Sequence, residues 1–124
     1  MKYYAKVIQI NDDIDEEVLL SFGEVSIYCF IAHCPYEIIQ GKIYLVEVEL
    51  SFLNDENIEG QSEGELSITR QGDSFTYEIK GYKVDDKIIS NGLLFTDELY
   101  AQEYGHINYE YVLLKPDRVS VSFL

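Results

Sequence analysis

The segment Ile43–Leu53, with the sequence IYLVEVELSFL, decides the fold class. Apolar and polar residues alternate along it with a period of two, which is the pattern of a β-strand with one buried face and one wet face. The apolar face consists of Tyr44, Val46, Val48, Leu50 and Phe52. The polar face consists of Glu47, Glu49 and Ser51. The segment therefore predicts a half-buried strand in a β-rich protein.

The same alternation recurs along the chain in short runs that end at turn-forming residues. The strand-like runs cover residues 3–10, 18–22, 25–33, 66–70, 75–84, 87–95, 109–114 and 119–123. Gly81 predicts a reset of register, because Tyr82 and Val84 are apolar in the opposite phase to the residues before it. Residues 96–105 carry helix signals, since Thr96 suits a cap and Gly105 suits a stop.

These patterns predict an all-β fold of about eight short strands with at most one short helix. The length of 124 residues suits a single domain over residues 1–124 with one modest core. Two architectures fit the pattern, a small antiparallel barrel and a β-sandwich. The long strand bent at Gly23, the polar loops and the closing strand resemble an oligonucleotide/oligosaccharide-binding (OB) barrel. The β-sandwich stays an open alternative.

Charge is the most unusual property of the chain. It has nine basic residues and 23 acidic ones, and its formal net charge is −14. Residues 7–69 hold 14 of the acidic residues and a single basic residue, Lys42. So strong a negative charge repels nucleic acid and anionic membranes, which argues against direct binding to either. It favours encounter with a basic protein.

Motifs for catalysis, metal binding or cofactor binding do not stand out in the sequence. The soft metal ligands are Cys29, His33, Cys34 and His106, and their spacing is not that of a structural zinc site. The acidic runs at 12–17 and 55–65 do not match the twelve-residue calcium loop. We therefore predict a protein that is not an enzyme, with no catalytic residue, metal or cofactor. The composition further predicts a cytoplasmic protein with reduced cysteines, no signal peptide and no membrane span.

Tyrosine is the second unusual feature, with eleven tyrosines and no tryptophan. Four of them lie among carboxylates in residues 97–111, and rigid amphipathic rings beside charge are typical of protein-binding hot spots. The alternative is that several of these rings pack against the core. The residues predicted to contact a partner are Asp55, Glu56, Glu59, Glu63, Asp97, Glu98, Tyr100, Glu103, Tyr104, Tyr109 and Tyr111.

The acidic runs at 12–17 and 55–65 and the Tyr/Glu segment at 97–111 resemble, at the level of a functional class, the immunity proteins of bacterial toxin systems, including contact-dependent growth inhibition. The resemblance implies a monomer that forms a heterodimer with a basic toxin domain, such as a nuclease, and neutralises it. Two other functions stay open. One is a β-barrel that binds a small molecule or an oligosaccharide, and the other is an acidic mimic of nucleic acid.

Overall fold

The computed structural model describes residues 1–53 and 58–124. Within them the backbone forms eleven strands and one short helix, which confirms the prediction of a nearly all-β chain with at most one short helix. The elements in chain order are β1 (Lys2–Ile10), β2 (Glu17–Ser21), β3 (Ser26–His33), β4 (Ile43–Ser51), β5 (Ile58–Gly60), β6 (Ser67–Arg70), β7 (Tyr77–Val84), β8 (Lys87–Ser90), β9 (Leu93–Thr96), α1 (Glu98–Gln102), β10 (Glu110–Leu114) and β11 (Arg118–Phe123).

The expected number of about eight strands is too low for two reasons. The strand β5 has three residues, which is too few for an alternating pattern to show. The run 87–95, in which Gly92 is the expected break, forms two strands, β8 and β9, that pair as a hairpin. Asn91 and Gly92 connect the two strands with positive φ values of 48° and 81°. A two-residue type I′ turn requires positive φ at both central residues, and Asn-Gly is its preferred sequence.

Five strands form the first sheet, in the order β1-β2-β3-β11-β4. The strand β4 pairs back with β1, so the hydrogen-bonded strands make a closed ring. Antiparallel pairing prevails in the ring, except that β11 runs parallel to β3. The last strand of the chain therefore lies between β3 and β4, and all elements from β5 to β10 are inserted between two strands of the ring.

Five strands of the second sheet follow the order β5-β10-β7-β8-β9, and β6 also pairs with β7. The strand β7 keeps one register throughout, so the expected reset at Gly81 is wrong. Its buried face consists of Tyr77, Ile79, Gly81 and Lys83. Gly81 is required by close packing instead, because a Cβ there would lie 2.7 Å from Ile88 Cγ2 and 2.9 Å from the Ile89 carbonyl oxygen.

One hydrophobic cluster draws on both sheets. Val46 and Val121 of the first sheet and Ile79 and Phe95 of the second are buried members of it. The strand β4 has the two faces that its alternation predicts, with Val46 buried and Glu49 exposed. Burial of apolar side chains from both sheets is the main stabilising contribution to such a fold.

Two tyrosine hydroxyls join the sheets. The Tyr77 hydroxyl in β7 accepts a hydrogen bond of 2.7 Å from the Tyr28 backbone N–H in β3. Burial is the main cause that raises the pKa of Tyr77 to about 12, so the hydroxyl stays protonated at neutral pH. The Tyr3 hydroxyl in β1 accepts from the Leu94 backbone N–H in β9 and donates to the Leu94 carbonyl oxygen. These hydrogen bonds satisfy backbone groups that the strand pairings leave without a partner.

The helix α1 has five residues and begins one residue later than predicted. Asp97 rather than Thr96 is the N-cap, because its side chain accepts a hydrogen bond of 3.0 Å from the Leu99 backbone N–H. Glu103 is the C-cap, and Tyr100 is the buried residue of the helix. In residues 1–53 and 58–124, no helix is long and apolar enough to cross a membrane.

Candidate functional site

The residues predicted to contact a partner fall into two groups. Asp55 and Glu56 lie outside the described residues. Glu59 in β5 and Tyr111 in β10 lie on paired strands of the second sheet. Glu63 follows β5 in a loop that approaches Tyr111, since a Cβ added at Gly64 would lie 3.6 Å from the nearest carbon of the Tyr111 ring. Tyr109 directly precedes β10. The second group surrounds α1 and consists of Asp97, Glu98, Tyr100, Glu103 and Tyr104.

The group around α1 exposes less aromatic surface than predicted. Tyr100 is only 2% exposed and belongs to the core, so its ring is not on the surface that a partner would meet. Tyr104 also packs against the core cluster and is partly buried. Asp97 uses its carboxylate to cap the helix. Glu98 and Glu103 are exposed, so the group offers charge to a partner but little aromatic surface.

The outward face of the second sheet carries a row of aromatic and aliphatic side chains that we call the tyrosine face. It consists of Tyr111 in β10, Tyr82 in β7, Ile89 in β8 and Leu94 in β9. Each residue is the Cα partner of the next across the strand pairs, and directly opposed residues share a face. The rings of Tyr82 and Tyr111 meet edge to face, with centroids 5.1 Å apart. Ile89 is 42% exposed and Tyr111 is 38% exposed.

Three carboxylates surround Lys80, which is two residues before Tyr82 on the same outward face of β7. The Lys80 Nζ lies 3.0 Å from Glu65 Oε2. This hydrogen bond to Glu65 raises the pKa of the Lys80 ammonium, and the nearby charges of Glu63 and Glu78 add to the effect. Lys80 is paired with Glu65 and has the charges of Glu63 and Glu78 nearby, which leaves this side of the tyrosine face negative.

A second acidic group lies in the turn between β7 and β8. Asp85 has a positive φ of 54°, and its carboxylate accepts a hydrogen bond of 3.0 Å from Asn108 Nδ2. Asp86 forms an ion pair with Lys87 at 2.7 Å. Tyr109, next to Asn108, is 65% exposed. The tyrosine face thus has carboxylates at both ends of β7.

Sequence reasoning missed Tyr82 and Ile89. The reset expected at Gly81 assigned Tyr82 to the core side of its strand. The local sequence carries no signal for the outward position of Tyr82, because the apolar residues change phase at Gly81 whereas burial along β7 alternates without a break. Ile89 was missed because the predicted contact residues were all carboxylates and tyrosines.

A polar cleft of about 330 Å³ lies where the β6–β7 hairpin meets the first sheet. Its lining residues are Gln9, Asn11, Ile14, Glu17, Leu19, Tyr28, Arg70 and Asp73. The Arg70 guanidinium forms an ion pair of 2.9 Å with Glu17 and stacks 3.9 Å above the Tyr28 ring. Asn11 Nδ2 donates to the second carboxylate oxygen of Glu17. The polar groups of this cleft therefore largely satisfy one another.

The two cysteines occupy different environments. Cys29 is buried, and burial raises the pKa of its thiol, which makes it a poor nucleophile. The Cys34 thiol donates to the Tyr36 carbonyl oxygen at 2.9 Å. Across the residues that the structure describes, no three His, Cys, Asp or Glu side chains are grouped so that they could hold a metal ion.

Comparison with known proteins places the chain in a family. No curated protein matches it, and no solved structure does. The family model described as "Uncharacterised conserved protein UCP019853" matches residues 1–124. Because the match spans the whole chain, the protein belongs to the family of uncharacterised conserved protein UCP019853.

Proposed function

We propose that this chain binds and neutralises a basic protein, as the immunity proteins of toxin systems do. The main observation in support of this proposal is the excess of carboxylates over basic side chains. Nine basic side chains cannot neutralise 23 acidic ones, and Lys83 is buried and does not act at the surface. Asp12, Asp13 and Glu16 are exposed beside β2. A negative field of this kind speeds association with a positive partner and repels nucleic acid and anionic membranes.

The toxin class follows from the same electrostatics. A nuclease must present basic groups to the phosphate backbone that it cleaves. An acidic protein that covers those groups competes with the substrate for them. Binding alone is then sufficient for inhibition, and the inhibitor needs no chemistry of its own.

The test is co-expression of the chain with the protein encoded by the gene immediately upstream. We expect that the upstream protein carries a basic C-terminal domain, that its expression stops growth, and that the chain restores growth and co-purifies with that domain. Growth arrest that the chain does not relieve, or an upstream protein without a basic domain, would contradict the proposal. A mimic of nucleic acid would be distinguished by competition between the chain and DNA or RNA for a nucleic-acid-binding protein.

For the architecture, we infer that the closed ring of five strands is an OB-type barrel with the second sheet inserted before its last strand. The strand order and the parallel pair β3–β11 support this inference. OB barrels bind ligands on the face of their second and third strands and at the adjoining loops. Here Phe75 of the inserted segment packs edge to face on Phe30 of β3, and Arg70 covers Tyr28. The inserted segment therefore covers part of that face, which favours a partner-binding surface elsewhere.

The polar cleft around Arg70 supports a second candidate function, the binding of a small molecule or an oligosaccharide. Gln9 offers an exposed amide in this cleft, and Ile14 offers an exposed apolar side chain beside it. Thermal unfolding in the presence of a panel of oligosaccharides tests it. Stabilisation that grows with oligosaccharide concentration supports the second function, whereas an unchanged midpoint across the panel argues against it.

A further inference from the structure

We infer that the tyrosine face is the surface on which the basic partner docks, and that it binds arginine in preference to lysine. The inference rests on the proposed function and adds the place of contact and the side-chain chemistry. It concerns the row Tyr111, Tyr82, Ile89 and Leu94 on the outward side of the second sheet.

The row presents apolar and aromatic side chains at the surface. Ile89 and Tyr111 lie on either side of Tyr82, and both are exposed by more than a third, at 42% and 38%. Contiguous exposed apolar side chains on a sheet are typical of surfaces that another molecule covers. Tyrosine rings are also preferred interface anchors, because they bury a large area with only two side-chain torsions to fix.

Carboxylates flank the row and would complement a positively charged partner. Glu63, Glu65 and Glu78 surround Lys80 at one side of the row. Asp85 and Asp86 lie in the turn at the other end of β7 and flank Lys87. Five carboxylates thus face two ammonium groups around one aromatic pair. A partner that complements this surface is positively charged. Its cationic side chains must reach the carboxylates while the centre of its interface covers the rings of Tyr82 and Tyr111.

Arginine meets both demands at once. Its planar guanidinium stacks on an aromatic ring and still donates hydrogen bonds to carboxylates, which a lysine ammonium does less well. The chain itself shows this combination at Arg70 and the stacking alone at Arg118. Arg70 lies 3.9 Å above the Tyr28 ring while bonded to Glu17, and Arg118 lies 4.1 Å above the Phe30 ring. An arginine from a partner would find the same combination at Tyr82 and Tyr111.

Two other exposed surfaces in the described part of the chain lack one of the two components. The acidic run at 12–17 adjoins the Tyr28 ring, but Arg70 already covers that ring and pairs with Glu17. Tyr4 in β1 is 73% exposed and therefore more exposed than Tyr111, but it lies between Lys2 and Lys6 on the outward side of its strand. We therefore assign the long-range attraction of the partner to the acidic run at 12–17 and the docking contacts to the tyrosine face.

The test is an NMR titration of the backbone amides with two peptides of equal charge, nona-arginine and nona-lysine. We expect the largest shifts in β7, β8 and β10, centred on Tyr82, Ile89 and Tyr111. We expect nona-arginine to bind about threefold more tightly than nona-lysine, the size of an exposed cation–π contribution. The double variant Tyr82→Leu/Tyr111→Leu should bind both peptides equally, because it keeps the charges and the apolar surface but loses the rings.

The matched control is Tyr4→Leu, which removes an exposed ring between two lysines and should retain the preference for arginine. Unfolding midpoints of all variants check that each is folded. Binding centred on residues 12–17 or on α1, or equal affinity of the wild-type chain for the two peptides, would overturn the inference and leave the proposed function intact. Failure of both peptides to bind would overturn both. Shifts of the same residues on raising the protein concentration alone would assign the face to a second copy of the chain.

Discussion

At the scale of single residues, Lys83 is the most informative side chain. It is fully buried on the inner face of β7, and within the described residues its Nζ has no hydrogen-bond partner. Burial lowers the pKa of its ammonium below the ordinary 10.5, although Asp85, Asp86 and Glu110 act in the opposite direction. A buried polar group without a partner is destabilising, so Lys83 weakens the fold that holds it.

We predict that Lys83→Met raises the free energy of unfolding by about 1–3 kcal/mol at pH 7, the cost of one unsatisfied buried polar group. Because the folded-state pKa is lowered, the unfolded chain binds the proton at higher pH than the folded chain does. The wild-type stability therefore rises as the pH rises towards 10.5, and the advantage of the variant shrinks over that window. Urea unfolding of both proteins at neutral and alkaline pH measures this difference.

The control for this prediction is Lys80→Met on the outward face of the same strand. Lys80 is paired with Glu65, and the pair raises the pKa of its ammonium, so its removal should give no gain in stability. A Lys83→Met variant that unfolds more easily than the wild type at pH 7 would show that the buried amine has a stabilising partner.

At the scale of elements, β7 depends on Gly81. We predict that Gly81→Ala lowers the free energy of unfolding by about 1–3 kcal/mol, as overpacking does in a close-packed core. The new Cβ would press on the Ile89 carbonyl oxygen, which belongs to the backbone of β8 and cannot move aside by a rotamer change. Denaturant midpoints of the two proteins give the comparison.

Gly60→Ala in β5 is the matched control for Gly81→Ala. Among the described residues, a Cβ at Gly60 meets only Glu110 Oε1, at 3.1 Å, which is the end of a long and flexible side chain. The change should alter stability by less than about 0.5 kcal/mol, like most substitutions away from the core. Equal losses from the two alanines would mean that glycine is needed in these strands for a reason other than the contact with β8.

The β6–β7 hairpin is held to the first sheet by Arg70. We predict that Arg70→Met lowers the free energy of unfolding by about 1–3 kcal/mol, because it leaves the Glu17 carboxylate nearly buried without its cation. The side chains of Arg70 and Glu17 are 21% and 10% exposed. Lys87→Met, which breaks the exposed pair with Asp86, should have little effect on the midpoint of chemical unfolding. Equal effects would indicate that Arg70 does not fasten the hairpin.

Local sequence patterns predicted the positions of the strands and of the helix better than they predicted which side chains of a strand face the core. The alternation from Tyr44 to Phe52 located β4, because each apolar side chain there does point towards one core. The same logic failed in β7, where a lysine occupies a core position and a tyrosine the surface. No local pattern distinguishes a buried Lys83 from an exposed one, since its burial depends on strands that arrive from elsewhere in the sequence. Tyr100 was misplaced for the same reason.

At the scale of the whole molecule, the acidic residues and the tyrosine face are expected to affect different stages of binding. We predict that Asp12→Lys/Asp13→Lys slows association with a basic partner and leaves dissociation nearly unchanged, because exposed charges act mainly through long-range steering. Tyr82→Leu/Tyr111→Leu should speed dissociation instead, because contacts that form on docking determine the lifetime of a complex. Surface plasmon resonance against the basic domain that we expect to be encoded upstream separates the two rates. The reverse assignment of effects would contradict this division of roles.

The most direct test of the central claim is the association rate of the wild-type chain with that basic domain as a function of NaCl concentration. Steering by opposite charges predicts a tight complex whose association rate falls at least about tenfold between low and high salt, since the Debye length shortens to about 3 Å at 1 M. Absence of a complex, or an association rate that does not change with salt, would contradict the claim that this acidic protein acts by binding a basic partner.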